Sequence, residues 1–126
     1  MSRVINLTSI EQMHTLTKSS GYVVIIFMHN EDSPSKLMLS MCAGYSGTYP
    51  YIRFASIDTD ICQASPSQFP ISFIPTSIFY RNGKTCRIIV GTDIYAFEAM
   101  LRTMRIDGAA LAPVVPARRL QYRPTR

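Results

Sequence analysis

Apolar residues change their spacing several times along this chain, and each change marks an element. Val4-Ile5-Asn6-Leu7 reads as a short strand. Thr8-x-x-Glu11 is a capping-box pattern that opens a helix to about Ser19, and Gly21 ends that unit. From Tyr22 to Met28 the residues are apolar without polar alternation, as a central parallel strand covered by helices on both faces requires. A polar loop, His29 to Ser33, follows. Pro34 suits a first helical turn, where its missing N–H would have no intrahelical partner, and the helix runs to about Ala43 before Gly44 and Gly47 weaken it. Residues 52–58 alternate like a strand, and Pro66 keeps any helix over 60–68 short. Residues 76–81 and 84–90, joined by Asn82-Gly83, carry a strong hairpin signal. Asp93 then opens a last helix with Ile94, Phe97, Leu101 and Met104 at helical spacing. The predicted order is β-α-β-α-β-α-β-β-α.

Composition adds boundaries to this pattern. At 126 residues and 47% hydrophobic, the chain fits one domain with a sizeable core. No run of 18 apolar residues exists, and Met1-Ser2-Arg3 leads straight into a strand pattern, so we expect a soluble intracellular protein without membrane contact. The net charge of +5 is uneven. Residues 1–104 hold eight Lys/Arg against seven Asp/Glu, whereas 105–126 hold five arginines against Asp107. The expected organisation is therefore a domain at 1–104 and a Pro/Arg-rich tail at 105–126. That tail begins with small residues and prolines, including Val114-Val115-Pro116. Its Arg118, Arg119, Tyr122, Arg123 and Arg126 can lie on RNA phosphates with a stacking tyrosine, dock on a protein, or stay solvated.

Cys42, Cys62 and Cys86 form no Cys-x-x-Cys pair and no metal-ligand spacing, which fits a reducing compartment. Each reads first as a small buried hydrophobe. No Ser-His-Asp order, phosphate-binding glycine loop or zinc finger is present. His29, Glu31 and Asp32 are clustered ligand types without a recognised spacing, so we expect no metal and no cofactor. Glu31 and Asp32 precede a helix N-terminus, where a carboxylate caps unpaired N–H groups; a partner-recognition role for the same loop is compatible with that.

The segment Phe27-Met28-His29-Asn30-Glu31-Asp32-Ser33-Pro34-Ser35-Lys36, together with the block from Ile71 to Lys84 and Gly91, resembles the thioredoxin superfamily. The resemblance covers residues 3–104. It implies an α/β, thioredoxin-like fold with a mixed central sheet and flanking helices. Where that family has W-C-G-P-C-K, this chain has Glu31, Asp32, Ser33, Pro34, Ser35 and Lys36; where it has a buried aspartate, this chain has Ile26. The resemblance further implies a cis Pro75 and a groove at Phe73, Ile74 and Pro75 that accepts an extended peptide. Phe73 is either core or the floor of that groove.

Thiol–disulfide exchange needs a thiolate to attack and a second thiol to resolve, and Asp32 and Ser35 can do neither. The chain is also similar to the Dim-type thioredoxin-like proteins of the spliceosomal tri-snRNP, whose F-G-H/R-D-W/E-D-P loop and I-S-Y-I-P segment correspond to residues 27–34 and 71–75. Ser33 adds one residue to that loop pattern. We therefore expect a redox-inactive interaction module rather than an enzyme, a subunit of a large ribonucleoprotein complex of the splicing kind. Glu31, Asp32, Pro34, Phe73, Ile74 and Pro75 would meet protein partners, the tail would reach RNA, and the location would be nuclear. Three alternatives stand beside it: a thioredoxin-like subunit of another assembly, a residual thiol enzyme or sensor using Cys42, Cys62 or Cys86, and a peptide-binding chaperone using the Ile74-Pro75 edge.

Overall fold

The computed structural model describes residues 3–62, 71 and 73–109. Its elements are β1 (Ile5–Leu7), α1 (Ile10–Lys18), β2 (Tyr22–Met28), α2 (Ser33–Thr48), β3 (Ile52–Asp58), α3 (Thr59–Cys62), β4 (Thr76–Arg81), β5 (Lys84–Val90) and α4 (Ile94–Ala109). The five strands form one sheet in the order β1-β3-β2-β4-β5. β1, β3 and β2 run parallel, while β4 is antiparallel to β2 and β5 antiparallel to β4. The expected element order and the thioredoxin-like architecture are thus both present. Among the described residues no helix is long and apolar enough to cross a membrane.

All seven residues of β2 are buried, which explains its unbroken apolar sequence. Successive side chains of a strand point to opposite faces. Val24, Ile26 and Met28 accordingly pack with Met38, Cys42, Phe97 and Leu101 of α2 and α4. Val23, Ile25 and Phe27 pack with Met13 of α1 and with Ile57 and Ile78. Burying one such large side chain is worth roughly 1.5–3 kcal/mol, so two dry layers fix the sheet on both sides. The Asn82-Gly83 turn has both residues at positive φ, 50° and 86°, the geometry that joins two antiparallel strands over two residues.

Several boundaries differ from the sequence pattern. The cap of α1 is Ser9, whose hydroxyl accepts from Gln12 N–H at 3.1 Å, while Gln12 Oε1 accepts from Thr8 N–H at 2.8 Å. The cap therefore sits one residue after the expected Thr8, and Gln12 rather than Glu11 reaches back, to the N–H of Thr8. Helix α2 continues through Gly44 and Gly47 to Thr48. Its last turns are held by packing: the Tyr45 ring stacks on Phe97 at 5.5 Å and its hydroxyl donates to Glu98 at 2.7 Å. Tertiary contact here outweighs glycine's low helix propensity. α3 ends its described length at Cys62, the rest of the 60–68 segment lying outside the described residues, and α4 carries on past Met104 to Ala109.

Candidate functional site at the carboxyl ends of the central strands

The loop after β2 is organised by one carboxylate. Asp32 stands at the N-cap of α2, and its Oδ2 accepts from Ser35 N–H at 2.9 Å and from Ser35 Oγ at 2.7 Å. Ser35 is fully buried, and its hydroxyl also accepts from His29 N–H at 3.3 Å. The two positions that would carry sulfur in the thioredoxin pattern therefore hold each other. Pro34 lies exposed in the first helical turn, as its ring favours. Glu31 is exposed and caps nothing; its N–H donates to His29 Nδ1 at 3.3 Å.

Parallel register places Met28 opposite Asp58, so the β2 loop and the end of β3 emerge side by side. His29 Nε2 lies 3.6 Å from Asp60 Oδ2, and Asp58 Oδ1 accepts from Asp60 N–H at 2.8 Å. His29, Asp58 and Asp60 bring their ligand atoms within 4.8 Å of one another. The trio that the sequence brought up and set aside as a metal site, His29, Glu31 and Asp32, is not the one assembled. Two aspartates that pattern reading passed over replace its acidic members. The signal was present: Asp58-Thr59-Asp60 follows a strand parallel to β2 and so must end beside its loop.

On the other flank, the Ile74–Pro75 bond is cis, as the resemblance implied. Pro75 is buried and its carbonyl accepts from Gly91 N–H at 2.7 Å, while Thr76 Oγ1 donates to the Phe73 carbonyl at 2.6 Å. Neither backbone group of Ile74 has a partner among the described residues. Phe73 is 66% exposed and Ile74 36%, so Phe73 belongs to the surface and not to the core. Ile26 is fully buried, and its neighbour across the sheet, Ser77, is a buried hydroxyl with no partner among the described residues.

The cysteines separate by environment. Cys42 is buried in the α2–α4 layer, and that burial pushes its thiol up to about 12. Cys86 is exposed on β5, contrary to the expectation of a buried hydrophobe, because β5 is the sheet edge and only its Ile89 is buried. The side chain of Cys62 and the tail residues Arg118, Arg119, Tyr122, Arg123 and Arg126 lie outside what the structure describes.

The thioredoxin family model matches residues 3–103. The chain belongs to the thioredoxin family. Among its relatives is a thioredoxin of Neurospora crassa, 27% identical over 79% of this chain and 84% of that protein. Another is the mitochondrial thioredoxin-3 of Saccharomyces cerevisiae, 23% identical over 80% of each. In fold it is similar to the thioredoxin of Trypanosoma brucei brucei, with a TM-score of 0.75 at 22% identity, over 82% of this chain and 92% of that one.

These relatives correct the sequence-based function. Proteins named thioredoxin are thiol–disulfide redox proteins, so they point to a thiol redox protein and away from both a splicing-complex subunit and a non-enzyme. The redox-inactive scaffold, the Dim-type likeness and the nuclear location lose their support together. The physical source of the error is specific. Asp32 and Ser35 remove sulfur from one loop only, and of the readings drawn from the sequence the residual thiol protein fits these relatives better, with Cys86 an exposed thiol on another strand.

Proposed function

We propose that the protein is a thioredoxin-family thiol redox protein in which the exposed Cys86, and not the loop at the head of α2, carries the reacting sulfur. Membership of the family over 3–103 supports the class of chemistry, and the accessibility of Cys86 is the single observation that selects the residue. The thiolate of Cys86 attacks one sulfur of a client disulfide. The client S–S bond breaks, one client sulfur leaves as thiolate, and the other is joined to Cys86. The thiolate of a low-molecular-weight thiol then attacks the client sulfur of that mixed disulfide, joins it in a new disulfide and releases Cys86 as the thiolate, and a second such thiol frees the client sulfur as the small-molecule disulfide forms. Cys86 lies on the edge strand in sequence between Lys84 and Arg87, and among the described residues no strand covers that side. The Phe73-Ile74-Pro75 surface, where the backbone of Ile74 has no partner among the described residues, offers an extended client a place to dock, and the pairing of Phe27 with Thr76 brings the loop that carries Glu31 and Pro34 out of the sheet on the same side. In this reading residues 1–104 carry the chemistry, the basic segment 105–126 adds charge for acidic surfaces, and the protein works in a reducing intracellular compartment. Exchange with oxidised glutathione, followed by intact mass and by insulin reduction, tests it. Wild type forms the mixed disulfide and Cys86→Ser does not; equal reaction in the two proteins, or none in wild type, removes the reading.

A further inference from the structure

We infer that His29, Asp58 and Asp60 form a binding site for a divalent cation of the zinc type at the carboxyl ends of β2 and β3. This inference is independent of the thiol reading. One imidazole nitrogen and two carboxylates are a donor set suited to Zn²⁺, with the remaining position left to water. Nitrogen and oxygen ligands at about 2.0–2.2 Å from a tetrahedral Zn²⁺ lie roughly 3.3–3.6 Å apart. His29 Nε2 and Asp60 Oδ2 are already 3.6 Å apart, too long for a good hydrogen bond and close to that edge length. The whole set spans no more than 4.8 Å, and Asp60, whose side chain is 69% exposed, can rotate to close it.

Two further features support the site. Asp58 is half-buried and held in place by the Asp60 N–H, so one carboxylate is oriented before any ion arrives. Among the described residues no lysine or arginine pairs with Asp58 or Asp60, so their charge is left for a cation to neutralise. The site also has a conformational consequence. At present His29 Nδ1 accepts from Glu31 N–H, which leaves the neutral ring's proton on Nε2. A cation on Nε2 requires the other tautomer, with the proton on Nδ1. The Glu31 N–H bond must then open, and the new Nδ1–H turns to another acceptor or to water.

The test uses the full chain with Cys62→Ser and Cys86→Ser, so that no accessible thiolate competes. ZnCl₂ is titrated by calorimetry, and amide spectra are recorded in parallel. One Zn²⁺ per chain is expected at about micromolar Kd. His29→Gln and Asp60→Asn should each weaken binding about tenfold or more, with Glu11→Gln on α1 unchanged, and the Glu31 amide should shift as Zn²⁺ binds. Asp58→Asn, which keeps an acceptor for Asp60 N–H, gives a third ligand variant if circular dichroism shows either of the others misfolded. Absence of saturable binding below about 1 mM, or equal affinity in the ligand variants and the parent, overturns the site.

Discussion

The loop at the head of α2 follows the central strand of the sheet and β5 forms its edge, and the two treat their polar groups in opposite ways. In the loop, Asp32 and Ser35 are bound to each other and Ser35 is fully buried. On β5 every residue except Ile89 faces solvent, and the extra residue of the irregular pairing near Phe79 and Tyr80 is Cys86. The family's usual position for sulfur has become a helix cap, while the accessible sulfur sits where the sheet ends. Position in the fold, then, decides what a residue type can do here. Cys42 makes the same point from inside: the same side chain, buried between α2 and α4, is a packing group.

The most forceful way to break the contrast is to return sulfur to the loop. Asp32→Cys combined with Ser35→Cys creates a two-thiol pair, spaced by Ser33 and Pro34, at a helix N-terminus, where the dipole favours thiolate. Insulin reduction should rise roughly tenfold or more over the parent, because an intramolecular thiol now resolves each mixed disulfide. If the new pair oxidises to a disulfide by mass yet adds no activity, the Ile74–Pro75 surface no longer presents a client to that loop.

A second comparison sets Cys42 against Cys86. Burial raises the Cys42 thiol from 9.0 to about 12, so the native state keeps a proton that the unfolded chain releases above pH 9. The stabilisation is full below pH 9 and is lost as pH rises toward 12, with a slope of up to about 1.4 kcal/mol per pH unit. Tyr45, also pushed upward by burial and by Glu98, acts in the same direction. Urea denaturation between pH 8 and 11 should therefore show a shallower decline in Cys42→Ala than in wild type, whereas Cys86→Ser should follow wild type. Parallel curves for all three would mean that Cys42 is more hydrated than its packing shows.

Much of this fold was legible because its strongest signals are local. Tyr22–Met28 announces a two-sided strand by its unbroken apolar run, and Asn82-Gly83 announces the hairpin by its positive-φ requirement. The far end of α2 was not legible, since Tyr45 is held there by Phe97 and Glu98 from a helix far along the chain. The candidate sites divide in the same way. Asp32 as a cap follows from its place before Pro34. The approach of His29 to Asp60 depends on the register between β2 and β3, and the exposure of Cys86 on which strand closes the sheet. Neither depends on nearby residues alone.

The finest test separates the two neighbouring carboxylates that sequence treated as equals. Asp32 holds both the Ser35 N–H and the Ser35 hydroxyl, whereas the Glu31 side chain is exposed and the bond at that residue comes from its backbone. Asp32→Ala should lower stability by about 1 kcal/mol, with up to about 2 kcal/mol if the buried Ser35 hydroxyl finds no other acceptor. Glu31→Ala should stay within about 0.5 kcal/mol of wild type. Urea midpoints at neutral pH, with unchanged m-values, read this difference directly. Equal midpoints in the two variants would show that the cap adds nothing and that packing around Met38 and Cys42 alone starts α2 where it does.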